Sequence, residues 1–274
     1  MPKINCEKET EKIVKWIQKT FKEKGFSRAV IGISGGLDSA VVANLLVRAL
    51  GKHKVYGYML PYGEQKDLSD SMECCKWLDI WYSIINIFPF VNNYFESLGI
   101  VMEKLRTGNI QARTRMIVMY DMSYVNEALV VGTGNKTELM LGYFTLHGDG
   151  ACAMEPMGHL YKTEVKELAK YLEVPKQIIN KAPSAGLWEG QTDEQELGMT
   201  YKEIDKILKI YNSMMYDPNN WRDHSKKEII KASIYTHKEL DAQKIEKIID
   251  IVEKNKFKNR MPESMYIRIG ECGE

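Results

Sequence analysis

Ser34, Gly35, Gly36, Leu37, Asp38 and Ser39 bring two hydroxyls, two adjacent glycines and a carboxylate into six residues. Glycines let backbone N–H groups approach an anion closely, and a helix N-terminus adds partial positive charge, so a Gly-Gly turn opening a helix suits phosphate. A Walker loop follows its glycines with a Lys that reaches the outer phosphates, and none follows here. A carboxylate beside a phosphate is repulsive unless a cation lies between them, so nucleotide binding at this turn would call for Mg²⁺ at Asp38. The same residues also read as a plain turn with Asp38 capping the helix, and a glycine motif alone does not separate the two readings.

Such a turn needs a strand that ends at it and a helix that starts from it. The run RAVIGIS is short and β-branched, and Ala40, Val41, Leu45, Leu46 and Leu50 follow at helical spacing. Before it, Ile13, Trp16, Ile17, Thr20 and Phe21 line one face of an amphipathic helix that ends on Gly25. After it the unit repeats: KVYGYMLP as strand, KDLSDSMECCKWLDI as helix, WYSIINI as strand and VNNYFESLG as helix. A longer helix is expected from about Gln111 to Asn126, then a buried strand in EALVVGTG and a helix in NKTELMLG. This alternation predicts an α/β fold with a doubly wound, mostly parallel sheet and helices on both faces. Ligands of such sheets bind beyond the carboxyl ends of the strands, where both glycine turns fall. From Tyr143 to Trp188 the pattern loosens into loops around one helix, YKTEVKELAKYLEV, and from Thr200 the chain reads as a helical C-terminal part. With no repeat and no low-complexity linker, residues 1–274 are expected to form one domain.

Lys and Arg number 38 against 37 Asp and Glu, a net charge of +1, so no overall basic field favours nucleic acid. An anionic ligand must be held by local groups. Cys6, Cys74, Cys75, Cys152 and Cys272 form no CxxC pair, which points to reduced thiols and a cytoplasmic location. Apolar runs are broken well before ~20 residues, so no membrane-spanning helix is expected.

GISGGLDS resembles the pyrophosphate loop of the ATP-pyrophosphatase superfamily, whose members split ATP between the α and β phosphates to adenylate a substrate. PYGEQ at 61–65, GNIQARTRM at 108–116, VVGTGNKTE at 130–138, GDG at 148–150, KAPSAGLWEGQTDEQELGMTYKEID at 181–205 and MP at 261–262 resemble the ammonia-dependent NAD synthetases in the same order. The resemblance runs from about Lys12 to Pro262. It implies that Gly32, Ile33, Ser34, Gly35, Gly36, Leu37, Asp38 and Ser39 hold ATP, with Thr133, Lys162 and Ser184 completing the site. It also implies Asp38 and Glu138 as Mg²⁺ ligands, two hard oxygens with phosphate and water filling the remaining positions. Lys162 would offset charge on the departing pyrophosphate and act with Asp38 in catalysis; taken alone, it also reads as a first-turn surface lysine. Arg113 matches a family Arg that contacts the dinucleotide. Arg115, two positions on, points elsewhere on a helix and is expected to be structural.

The chain departs from the family pattern at the substrate. Where the family reads F-F-T-K-[YF]-G-D-G-[GA]-x-D, this sequence has YFTLHGDGACA, with Leu146 for Lys and Ala153 for Asp. Near the C-terminus H-K-R-x-x-P appears as FKNRMP, keeping Lys258 but placing Phe257 for His and Asn259 for Arg. The resemblance therefore implies a carbon–nitrogen ligase that adenylates deamido-NAD with ATP and Mg²⁺, then amidates it with ammonia. The departures leave room for another acid such as nicotinate mononucleotide, with an inactive nucleotide-binding module as the lesser alternative. Thiolation of tRNA is disfavoured by the balanced charge and the lack of a CxxC pair. No glutaminase domain is expected. The family resemblance implies a homodimer, with RMIVMYDMSYV as a candidate interface helix, and a loop GLWEGQTDEQELG that closes over ATP.

Overall fold

In the computed structural model, residues 4–64, 68–101, 103–184, 186, 190–215 and 225–260 are described. Four parallel strands form the centre: β1 (Arg28–Gly32), β2 (Val55–Met59), β3 (Trp81–Ile84) and β4 (Ala128–Val131), in the order β3-β2-β1-β4. Chain direction across the sheet reverses between β1 and β4, where Ile31 pairs with Val131. Both glycine turns leave the sheet at this switch point, where doubly wound folds bind ligands.

Strands β1, β2 and β4 are largely buried and apolar because both faces of the sheet are covered there, while the edge strand β3 leaves Trp81 and Ile84 exposed. Ala29, Ile31, Leu129 and Val131 point to one core with α1 (Cys6–Lys24), α2 (Leu37–Leu50) and α3 (Leu68–Leu78). Val30, Ala128 and Val130 point to the other, beneath α4 (Phe88–Leu98) and α5 (Lys104–Asn126). Helices α6 (Lys136–Leu141), α7 (Lys162–Tyr171) and α8 (Lys176–Asn180) follow β4. A third core joins Leu141 of α6 with α9 (Asp193–Leu197), α10 (Tyr201–Met215), α11 (Lys226–Thr236) and α12 (Ala242–Asn255). The two-faced sheet and helical C-terminal part agree with the sequence reading.

Two boundaries differ from expectation. Helix α5 begins at Lys104 and runs through the buried Gly108, earlier than the expected start near Gln111. The stretch expected to hold one helix holds α7 and the five-residue α8. Gly25 closes α1 as foreseen, in the left-handed conformation with φ 73°. Among the described residues no helix is long and apolar enough to cross a membrane.

Candidate active site

The turn after β1 is tied together by its own hydroxyls. Ser39 Oγ donates to the Gly36 carbonyl at 3.1 Å and lies 3.1 Å from Ser34 Oγ, which accepts from the Gly36 amide at 3.3 Å. Gly35 has φ 72°, a region costly for a residue with a Cβ. Gly36 is the N-cap of α2, and no side chain caps that helix. Asp38 is therefore not the cap: its carboxylate is directed across the sheet to the elements after β4.

There Asn135 opens α6 with a capping box. The Glu138 amide donates to Asn135 Oδ1 at 3.1 Å, and the Asn135 amide donates to Glu138 Oε2 at 3.3 Å. Asn135 is completely buried, and its Nδ2 donates to Asp38 Oδ1 at 3.0 Å. One side chain thus caps a helix and orients a carboxylate from another. The signal was present as N-x-x-E at 135–138, but its second partner lies 97 residues away.

Lys162 is the first residue of α7, is buried, and extends Nζ between the two carboxylates. It donates to Glu138 Oε1 at 3.0 Å and makes a short contact with Asp38 Oδ2. Burial by itself would lower its pKa, but the Asp38 and Glu138 carboxylates win and hold the ammonium charged, well above the ordinary lysine range. Burial pushes Glu138 up to about 7, with the Lys162 charge opposing and that of Asp38 assisting the rise. One ammonium against two carboxylates leaves an excess negative charge in a desolvated place. Two hard oxygen donors with surplus negative charge fit a divalent cation such as Mg²⁺. Among the described residues no three His, Cys, Asp or Glu groups converge to hold a metal, so further donors would come from phosphate and water.

These groups line a cleft of about 1620 Å³, above the roughly 300–1,000 Å³ of a single small-ligand pocket. It has room for two large ligands. Gly32, Ile33, Ser34, Gly36, Leu37, Asp38, Ser39, Thr133, Glu138, Lys162 and Ser184 all face it.

The residues expected at the acid substrate are placed less uniformly. Lys258 lines the cleft, but its Nζ donates to the carbonyls of Gly142 at 2.7 Å and Phe144 at 3.1 Å. Arg113, Leu146, Ala153 and Phe257 are outside the lining, as is Gly35 of the turn assigned to ATP. Ala153 packs against the core under α1 and α2, and Phe257 is 59% exposed. Arg113 Nε donates to the Leu146 carbonyl at 3.3 Å, fixing that loop instead of facing the cleft. Arg115, expected to be structural, is the arginine that faces it, while its Nε donates to the Leu60 carbonyl at 3.0 Å. Burial lowers Arg115 to about 10, which leaves it charged at neutral pH. Gln65, Leu187, Trp188, Glu189, Met261 and Pro262, from the PYGEQ, loop and MP motifs, lie outside the described residues.

Glu155 was missed by the sequence reading. Met154 pairs with Val131 at the sheet edge, and this places Glu155 in the cleft against the turn after β4. A Cβ on Gly134 would sit 2.7 Å from Glu155 Oε1, so a side chain there would displace the Glu155 carboxylate from its present place. Burial raises the Glu155 pKa, and Cys152 Sγ donates to its Oε1 at 3.6 Å. A carboxylate is thus supplied to the cleft two positions from the Ala153 that replaces the family's Asp.

The model of the NAD synthase family matches residues 9–262. The chain belongs to the NAD synthase family. An NH(3)-dependent NAD(+) synthetase of Pyrococcus horikoshii is 42% identical over 252 residues, 92% of this chain and 93% of that protein. Two solved structures of similar fold are an NMN synthetase from Francisella tularensis and an NH3-dependent NAD synthetase from Campylobacter jejuni. The first has a TM-score of 0.80 at 33% identity, covering 96% of this chain and all of the other. The second has a TM-score of 0.76 at 32% identity with the same coverage. Within this NAD synthase fold, the residues that the sequence assigned to ATP converge on the switch point.

Proposed function

We propose that this protein is an ammonia-dependent NAD synthetase that adenylates the nicotinate carboxylate of deamido-NAD and replaces AMP with ammonia. The observation that carries the reading is the convergence of Asp38, Glu138 and Lys162 beside the turn after β1. A carboxylate is a poor electrophile until its oxygen is made a better leaving group. Its oxygen attacks the α-phosphorus of ATP, and the bond to the β-phosphate breaks as pyrophosphate departs. Ammonia then adds at the acyl carbon, AMP leaves, and a proton is lost.

Backbone amides of the Ser34–Ser39 turn and the Lys162 ammonium stabilise charge on the departing pyrophosphate. Asp38 and Glu138 would hold Mg²⁺, which would supply charge neutralisation on the phosphates. Arg115 and Lys258 are two of the cations that line the cleft, and Glu155 offers a carboxylate near the turn after β4. Similarity over most of the chain to curated NH(3)-dependent NAD(+) synthetases, 42% identical in the Pyrococcus horikoshii protein, supports deamido-NAD as the acid.

We place the enzyme in the cytoplasm, where the buried free thiols of Cys74 and Cys75 stay reduced. It acts as a homodimer through α4 and α5, without nucleic acid or membrane. Incubation with ATP, Mg²⁺, ammonium and either deamido-NAD or nicotinate mononucleotide, followed by mass spectrometry, tests the assignment. NAD is the expected product; amidation of the mononucleotide alone would overturn the choice of acid. Asp38→Asn should abolish pyrophosphate release while the circular dichroism spectrum and melting temperature stay close to wild type.

A further inference from the structure

Asp205, on α10, is 2% exposed, and both of its oxygens are engaged. Oδ1 accepts from Thr137 Oγ1 at 2.5 Å, and Oδ2 accepts from the Thr163 amide at 2.8 Å. Thr137 Oγ1 in turn accepts from the Lys162 amide at 2.9 Å. The first amides of a helix have no partner within it, and here the Asp205–Thr137 pair takes the first two of α7. Thr137 precedes Glu138 in the first turn of α6, so one carboxylate fastens together the two helix starts that deliver Glu138 and Lys162.

Four residues earlier, on the same face of α10, the Tyr201 ring lies 5.1 Å from Lys162 Nζ. Its hydroxyl is fixed by donation to Asp193 at 2.8 Å. Lys162 is therefore held at both ends by α10: the backbone through Thr137 and Asp205, the ammonium by an aromatic face.

We propose that Asp205 is a positioning residue that acts through Thr137 to set Lys162 and Glu138 against Asp38. The inference rests on the adenylation reading, in which Lys162 serves the phosphates. A purely structural Asp205 would lower the folded fraction and leave turnover per folded molecule unchanged. A positioning residue changes turnover and leaves binding of the acid alone.

The test uses the full-length protein with Asp205→Asn, Thr137→Val and the double variant. Asparagine keeps the shape and an acceptor for Thr163, but presents a donor to Thr137. Each single variant should lose at least about tenfold in kcat, with KM for deamido-NAD within about twofold of wild type. Melting temperatures should stay within a few degrees. Because both act through one hydroxyl, the double variant should be no slower than the worse single, and Thr137→Ser should restore kcat. Unchanged kcat, loss in proportion to unfolded protein, or losses that multiply would each overturn the proposal. If Asp205→Asn fails to fold, the Thr137→Val and Thr137→Ser pair decides. Binding of α,β-methylene-ATP by calorimetry gives an independent readout: Asp205→Asn should weaken it at least about fivefold. That readout stands even if wild type makes no NAD, an outcome that would defeat the reaction assignment and not the positioning; unchanged affinity would count against the positioning.

Discussion

At the residue scale the site trades stability for charge. Glu138 has a pKa of about 7 in the fold against an ordinary 4.5, because burial penalises its anion. The folded state thus binds this proton more tightly than the unfolded chain does. Its contribution to stability is complete below about 4.5 and is lost as pH rises through about 7. Glu138→Gln mimics the protonated form. In magnesium-free buffer the variant should exceed wild type by about 1–3 kcal/mol at pH 8, with the difference fading toward pH 4.5, while pyrophosphate release is lost. Urea unfolding at pH 5 and pH 8 measures this, and an equal difference at both would refute it. Asp38, Glu138 and Lys162 were legible as types in a motif. That Lys162 stands between the carboxylates was not, because the three come from sites 24 to 124 residues apart.

At the scale of elements, the end of α12 and the turn after it close the C-terminus of α6. Asn255 Nδ2 donates to the Leu141 carbonyl at 2.8 Å, Asn259 Nδ2 to Leu139 at 2.7 Å, and Lys258 Nζ to Gly142 at 2.7 Å. These are carbonyls that a helix leaves unpaired at its end. Asn259, which replaces the family's Arg, is thus an amide donor suited to a carbonyl. Lys258→Met should lower stability by about 1–2 kcal/mol, read as a drop of several degrees in melting temperature. A melting temperature equal to wild type would show that the two asparagines suffice. The family resemblance marked Lys258 through H-K-R-x-x-P and implied a substrate contact; the bonds of its ammonium to the carbonyls of Gly142 and Phe144 could be seen only in the fold.

At the scale of the whole molecule, α5 is apolar on two sides. Val118 and Met119 face the sheet, while Ile117 is 62% and Tyr124 87% exposed, with Tyr120 between them on the outer stripe. Phe90, Tyr94 and Leu98 of the neighbouring α4 are also exposed apolar residues. An exposed apolar stripe opposite the buried one is suited to a partner, and a second copy of the same face fits a closed twofold pair. If this face joins two copies as proposed, Ile117→Asp combined with Tyr124→Lys should shift the protein to monomer in sedimentation velocity. A variant that sediments as wild type would place the interface elsewhere. The expectation from RMIVMYDMSYV concerned this helix, whose inward and outward faces the apolar run could not distinguish.

Local chemistry and periodicity determined the strand–turn–helix around Asp38, the parallel sheet and its binding end, since those depend on neighbours a few residues apart. Tertiary structure decided the rest. It showed that Asp38 faces Asn135 and Lys162 instead of capping α2, that Arg115 and not Arg113 enters the cleft, and that Glu155 supplies a carboxylate beside Gly134. It also brought Asp205 under the starts of α6 and α7. Each of these depends on which strands are neighbours and on where a buried charge finds its partner, and both are set by packing across the switch point between β1 and β4.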